Sequence, residues 1–486
     1  MIKKPYILDY FTLVILALIG GISTYFLSLR GFDQYPIFIL MIFGLIILLF
    51  IKPLLKSESF VILMIYLLIA STFLNNAFFK INLGFFSLFP YRIVLVLVTM
   101  VIFYKFIMDQ SHKYLWEQIK VKNILYFFIF WLIYASISLL WSLSVIEGIK
   151  YLSLLVMGLL FLFIIVFYIN KVDRLVGFYY IWMFMTVFLM VIGFWNHITK
   201  IHLPSSTLYL GPEYKQHYPT AVFFNQNDFA TYLSISVFFF ISYVKNATNG
   251  FLKGVSFCLI FGILYLIYAT DSRAALLGVF VGVAFYIFLL LPRLLKQISF
   301  WGALIGVIGV FIVFFEKIYN KFFELFLASQ VHHSFAEAMS SNMGRANLLK
   351  NSFNFILDTF GMGVGSGNAE VYMSSRPIYD TDNIVNIHFW FVEIFVNFGI
   401  FVFLGYILLY GYFIWFLFRN YNRKMQSKNK LIIEALLGSL VCFIVSSISP
   451  SSISNLFFHW VLISLVIATI NYLKISKENK SLPLGY

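Results

Sequence analysis

Charge is scarce in this chain. Only 11% of its 486 residues are Asp, Glu, Lys or Arg, where a soluble domain carries roughly a quarter. Cysteine is nearly unused. Cys258 and Cys442 both fall inside apolar runs, which argues against a disulfide framework and reads as two free thiols. No Pro- or Ser-rich linker and no internal repeat divides the sequence. Short segments of alternating hydrophobicity, the mark of a membrane β-barrel, are missing. So are the Gly-x-Ser-x-Gly, P-loop and zinc-spacing signatures.

What fills the chain is apolar. It is 62% hydrophobic and 21% aromatic, and runs of about 20 residues, enough to cross a ~30 Å hydrocarbon layer, recur throughout. Only helices satisfy their own backbone groups in lipid. The expected fold is therefore all-α, a polytopic helical membrane protein with 12–14 transmembrane helices. The runs lie near 9–29, 36–51, 60–78, 90–108, 124–142, 148–169, 176–198, 222–244, 254–270, 274–291, 299–316, 390–418, 431–449 and 454–473. The first follows MIKKPY and lacks a small-residue cleavage site, so it reads as a span and not as a signal peptide.

The net charge of +14 raises nucleic-acid binding, but the basic residues sit in short segments between the spans. With the N-terminus in the cytoplasm, 22 of the 34 fall on the inner side and 7 in short outer segments, as the positive-inside rule requires. Both termini are then cytoplasmic, and no nucleic-acid partner is expected.

Two outer segments stand out. One joins the spans near 176–198 and 222–244. The other runs from Lys317 to His388 and is the long polar stretch of the chain. Within it Leu348, Leu349, Ser352, Phe353, Ile356 and Leu357 share one helical face, followed by the breaker run GMGVGSGN. The stretch KFFELFLASQ is expected to lie along the membrane surface.

Ionisable groups near membrane depth are costly and so are candidates for function. Arg273, in YATDSRAALLG, reads either as an interfacial anchor or as an anion site that grips phosphate oxygens through its guanidinium fork, with Asp271 to orient it. Asn225, Gln226, Asn227 and Asp228 open the span near 222–244. One of them suffices for a helix cap; the others point to sugar hydroxyls, with Asn225, Asn227 and Asp228 the candidate ligands. His388 opens a helix that carries Glu393 towards a cavity, and as a base or donor it is suited to the external pH. Arg345 opens the loop helix. Gly361, Gly363, Gly365 and Gly367 read either as a phosphate-approaching nest or as a plain turn. Adjacent His332 and His333 make a poor metal pair, and Asp380 with Asp382 is a common polar-loop pattern, so no metal site is expected.

Taken in order, FFNQNDFATYL, DSRAALLGVFVG, GRANLLKNSFNFILDTFGMGVGSGN and IHFWFVEIFVNFG resemble the O-antigen ligase and Wzy-type polymerase superfamily. His388 stands 11 residues before Gly399, as in that family's histidine-to-glycine helix. Within the superfamily the chain looks most like Gram-positive proteins of teichuronic acid biosynthesis. Three positions depart from the pattern: Phe389 stands where Asn is common, Leu349 where Trp is common, and Thr359 where Pro is usual.

The resemblance implies a GT-C-like, metal-independent and cofactor-free glycosyltransferase. Its donor would be a glycan on undecaprenyl diphosphate at the outer face of the cell membrane. Arg273 and Arg345 would hold the diphosphate, and His388 would orient or deprotonate the acceptor hydroxyl. The implied organisation is a transmembrane scaffold over 1–198, a transmembrane region with the diphosphate-site residues over 199–316, an extracytoplasmic loop over 317–389, and closing helices with a cytoplasmic tail over 390–486. Expected partners are undecaprenyl diphosphate-linked oligosaccharides, membrane lipid and other polysaccharide-assembly proteins. The favoured reaction is polymerisation onto a new lipid-linked repeat unit. The rivals are a ligase of the same fold with another acceptor and a flippase of the lipid-linked sugar. A flippase would line a central path with charge on several spans and show pseudo-symmetric halves, whereas the polar residues here gather at one end.

Overall fold

The computed structural model describes residues 58–78, 80–83, 86–108, 115–328, 341–450, 452 and 457–481. Apart from one short hairpin, β1 (Ile81–Leu83) with β2 (Phe86–Leu88), its regular structure is helical. Nine of the described helices are long and apolar enough to cross a membrane. The chain is a polytopic helical membrane protein.

The described residues fall into two compact units, one from 58–65 and 96–108, the other from those of 66–95 and 115–481. The described parts of the first are the opening of α1 (Glu58–Thr72) and the later turns of α2 (Pro90–Met108). The expected spans near 9–29 and 36–51 lie outside the described residues.

The second unit runs through α3 (Leu115–Gln118), α4 (Lys122–Ile137), α5 (Val145–Tyr168), α6 (Val172–Thr199), α7 (Gln226–Asn246), α8 (Gly250–Ala269), α9 (Arg273–Leu290) and α10 (Arg293–Ala328). It continues with α11 (Ser341–Asp358), α12 (Ala369–Ser375), α13 (Trp390–Asn420), α14 (Ser427–Ser446) and α15 (Phe457–Ser481). Local chemistry sets several boundaries. Ser144 caps α5 by accepting from the Glu147 amide at 3.4 Å, the Ser-x-x-Glu pattern of a capping box. Asn249 caps α8 through the Leu252 amide at 3.1 Å. Lys200, with φ 60°, ends α6 in the left-handed conformation.

At the centre stands α7, buried along nearly its whole length. It carries Thr231, Ser234 and Ser236, whose hydroxyls donate to carbonyls one turn back at 2.9, 2.8 and 2.7 Å. A helix this polar is stable inside the bundle because its hydroxyls are satisfied locally and protein surrounds it. Trp182 of α6 stacks on Phe239 of α7 with centroids 4.9 Å apart, and its indole N–H donates to Ser236 at 2.9 Å.

Two features differ from the sequence expectation. Helix α10 runs unbroken from Arg293 to Ala328, about 54 Å at 1.5 Å per residue. Residues 321–328 of the stretch expected to lie on the membrane surface are therefore its last turns. In α11 the buried side is Leu348, Ser352, Phe355 and Ile356, while Leu349, Phe353 and Leu357 are exposed. The expected face is rotated because the partners of α11 are other parts of the same loop and the first turns of α13: Val364, Ala369, Met373 and Ile387 of the loop and Val396 of α13 close a small core with it.

Helix α13 is broken at Gly399, which has φ 71° and ψ −171°. The glycine run lies in that break. The amides of Val364 and Gly365 donate to the carbonyls of Val396 at 2.8 Å and Asn397 at 3.1 Å, and Ile400 donates back to Gly361 at 2.9 Å. A Cβ at Gly363 would stand 2.5 Å from the Gly399 nitrogen. Glycine is needed on both sides for two backbones to approach this closely. The run is fastened to the bundle as well: Tyr134 donates to the Met362 carbonyl at 2.8 Å and Trp141 to that of Gly363 at 2.9 Å.

Candidate active site

The run of serines after α14, a stretch that no sequence motif marks, joins the elements carrying the candidate residues. The Thr231 hydroxyl of α7 donates to the Ser446 carbonyl at 3.3 Å. The Trp390 amide donates to the Ser447 carbonyl at 3.2 Å. Ser272, next to Arg273 at the start of α9, meets the Ser449 hydroxyl at 3.3 Å. Nδ1 of His388 lies 3.1 Å from the Pro450 carbonyl, and Ser452 donates to Glu393 at 2.8 Å. The start of α9, the start of α13 and the first turns of α7 thus share one turn. The sequence signal is SSISPSS between two apolar runs. It is easily missed because most of these contacts use backbone carbonyls, which no side-chain pattern announces.

His388 is held firmly. Its φ of 57° is unusual for a residue with a Cβ, and such strain is found where surrounding structure fixes a side chain for a task. A carbonyl can only accept, so Nδ1 carries the proton and Nε2 is left with its lone pair. Burial lowers the affinity of the ring for a second proton. The Pro450 carbonyl works against that shift, the positive charge of Arg345 reinforces it, and the Ser449 carbonyl also opposes it. The ring is therefore neutral near pH 7, with a lone pair on Nε2.

Arg345 and His388 are 43 positions apart, yet the guanidinium is near enough for its charge to act on the ring. Arg345 is half-buried, whereas Arg273 is exposed. Neither meets a carboxylate among the described residues. Arg273 is the first residue of α9, where unpaired amides and the helix dipole favour an anion. Asp271 has φ 56° and is exposed; among the described residues no hydrogen bond or ion pair joins it to Arg273.

The polar quartet before α7 divides. Asn225 is the cap, accepting from the amides of Asn227 at 2.8 Å and Asp228 at 3.0 Å. Asp228 is fully buried, and Asn227 is half-buried. Glu393 is buried as well and is bonded to Ser452. Near it lies Glu370, a residue that no sequence pattern singles out, which accepts from Asn386 at 2.7 Å. Burial raises the Glu370 carboxyl above the usual carboxylate range, against the hydrogen bonds from Ser452 and Asn386.

The glycine run does not form a phosphate nest. The Gly361 amide donates to Ile356, that of Gly363 to Thr359, that of Ser366 to Ser138 and that of Ala369 to Asn397. With the amides of Val364 and Gly365 already spent on α13, the run is a structural joint. Asp380 and Asp382 form a local turn, the Asp382 amide donating to the Asp380 carboxylate at 2.9 Å. His332 and His333 lie outside the described residues. Among the described residues no group of three or more His, Cys, Asp or Glu side chains is placed to hold a metal ion.

Comparison with known proteins bears on the same region. Residues 255–407 match the family model described as O-antigen ligase, a span that takes in Arg273, Arg345, His388 and Gly399. Over 435 residues the chain is 53% identical to the teichuronic acid biosynthesis protein TuaE of Bacillus subtilis (strain 168), covering 90% of this chain and 89% of that one.

Proposed function

Given that the chain belongs to the O-antigen ligase family, we propose that it is a polysaccharide polymerase of the cell membrane. It transfers a growing glycan from undecaprenyl diphosphate to a lipid-linked repeat unit at the outer face, in building teichuronic acid or a similar cell-surface polymer. The name of the Bacillus relative supports the product class. The observation that carries the chemistry is the His388 ring, its Nδ1 3.1 Å from the Pro450 carbonyl and within reach of the Arg345 charge.

The step balances simply. The acceptor hydroxyl oxygen attacks the anomeric carbon of the donor glycan, and its proton passes to Nε2 of His388. The bond from that carbon to the diphosphate oxygen breaks, and undecaprenyl diphosphate leaves with the bonding pair. Negative charge grows on the leaving group, so Arg345 and Arg273 stabilise the transition state more than the ground state. Two guanidinium groups supply the charge that a metal ion gives in other transferases. An outer-face site has no nucleotide sugar at hand, and a lipid-linked donor suits it. Asn225, Asn227, Asp228, Asp271 and Glu393 are assigned to the surrounding sugar site, with both termini cytoplasmic.

The test is purified protein with lipid-linked repeat units in excess chelator. The expected product is long polymer from the native chain and unextended single repeats from His388→Ala. Full-length polymer from that variant would remove His388 from the reaction, and loss of native activity in chelator would return attention to Asp380 and Asp382. The family description keeps one alternative in view, a ligase acting on another acceptor. Glycan appearing on a non-repeat acceptor, with no lengthening of the lipid-linked chain, would favour it.

A further inference from the structure

We propose that the end of the bundle opposite His388 carries a binding groove for one anionic phospholipid of the surrounding bilayer. The groove lies between the start of α4, the later turns of α13 and the end of α15, and encloses about 690 Å³. That is within the ~300–1,000 Å³ of ordinary ligand sites. Asn471 of α15, which accepts the Lys120 amide at 2.8 Å, lies 12 residues beyond His459, whose ring centre is 4.3 Å from that of Trp390, a rise of about 18 Å at 1.5 Å per residue. The lysines of the groove are therefore set apart from the candidate active site.

Its lining has the two halves that a phospholipid needs. Lys120, Lys122 and Lys474 stand at the mouth. Lys120 is paired with Glu478 at 2.7 Å, whereas Lys122 meets no carboxylate among the described residues. With Glu117 also on the rim, three lysines against two carboxylates leave one net positive charge. A phosphodiester headgroup carries one negative charge, so the match is one to one. Aromatic rings hold the lysines in place: Lys474 lies 5.8 Å from the centre of Tyr412 and 5.7 Å from that of Phe416, and Lys122 lies 5.9 Å from Trp116. Such rings at the level of lipid headgroups fix a cation without neutralising it.

Behind the lysines the wall is apolar, formed by Phe127, Leu408, Leu409 and Gly405. Gly405 deepens it, because a Cβ there would strike the Phe127 ring. Leu408 is 74% exposed, so the wall continues outward onto the lipid-facing side of α13. A free anion would use the lysines alone; a phospholipid uses the lysines and lays an acyl chain along Leu408. Basic pockets between helices at the membrane boundary take lipid headgroups through this combination.

The experiment uses the full chain in neutral detergent and counts retained lipid by native mass spectrometry. Phosphatidylglycerol is compared with phosphatidylcholine at equal concentration. The native chain is expected to prefer phosphatidylglycerol by about tenfold, from two lysines that each favour an anionic lipid. The Lys122→Gln/Lys474→Gln double variant should bind both lipids alike, and the Lys122→Arg/Lys474→Arg variant should keep the preference. An undiminished preference in the glutamine variant would overturn the proposal. So would displacement of phosphatidylglycerol by an equal concentration of inorganic phosphate, which would show an anion site without a lipid component.

Discussion

The two ends of α7 and α14 handle charge in opposite ways. At one end Glu434 of α14 is completely buried. It accepts from Lys245, from Asn246 at 2.7 Å, from Tyr286 at 2.7 Å and from Tyr421 at 2.6 Å. Residues from α7, α9 and the turn after α13 thereby close on one carboxylate. At the other end Arg345 and Arg273 meet no carboxylate among the described residues, and the His388 ring is held by backbone carbonyls and not by an acidic side chain. A charge whose partners are complete holds helices together. Charges without a carboxylate partner are what the proposed diphosphate site requires. That contrast distinguishes the two ends more clearly than burial does, since Glu393 and Asp228, at the His388 end, are buried like Glu434.

The largest expected effect is at the His388 end. His388→Ala should lower turnover at least about 10²-fold, the usual contribution of a positioned base, with the melting temperature little changed. Glu434→Ala should do the reverse. Leaving Lys245 and two tyrosines around an emptied carboxylate site costs about 3–5 kcal/mol of stability, read by thermal or denaturant unfolding, while each folded molecule keeps its turnover. If both variants lost stability equally and neither lost turnover selectively, the division between the two ends would collapse.

Gly399→Ala comes next. It forces a Cβ into the left-handed conformation and to 2.5 Å from Met362, costing about 1–3 kcal/mol for the backbone alone. Because the glycine run docks at that break, proteolysis should strike the loop first in this variant. A loop as resistant as in the native chain would mean that the joint does not anchor it.

The pH dependence is the mildest test. The neutral ring is the active base, so turnover falls as pH drops through its pKa. Burial and Arg345 hold that pKa below the ordinary value of about 6.5. More than half of the maximal rate should therefore remain at pH 6.5. A half-maximal point above pH 6.5 would contradict the geometry around Pro450.

How much of this was written in the sequence follows from what each feature depends on. The spans α4, α5, α6, α8, α9 and α13 to α15 were legible, because an apolar run of bilayer length carries its own signal. The order of the motifs links His388, Arg345 and Arg273 only through the family resemblance. The glycine run was not legible: its meaning depends on Gly399, which lies 36 positions beyond Gly363 and receives it only after folding. The buried side of α11 was turned because hydrophobic spacing allows neighbouring faces, and only Val364, Met373 and Ile387 choose between them. The serine turn after α14 works largely through carbonyls. Glu370 gains its place from Asn386 and Ser452, neither of which a motif points to.

The central claim is that Arg345 and Arg273 grip the diphosphate while His388 handles the proton. It is tested most directly by measuring the affinity of undecaprenyl diphosphate for the three single variants. Arg345→Ala and Arg273→Ala should each weaken binding by about tenfold, the loss of one charge-assisted contact. His388→Ala should bind the product as the native chain does. Native affinity in both arginine variants, or a loss in His388→Ala as large as theirs, would contradict the account.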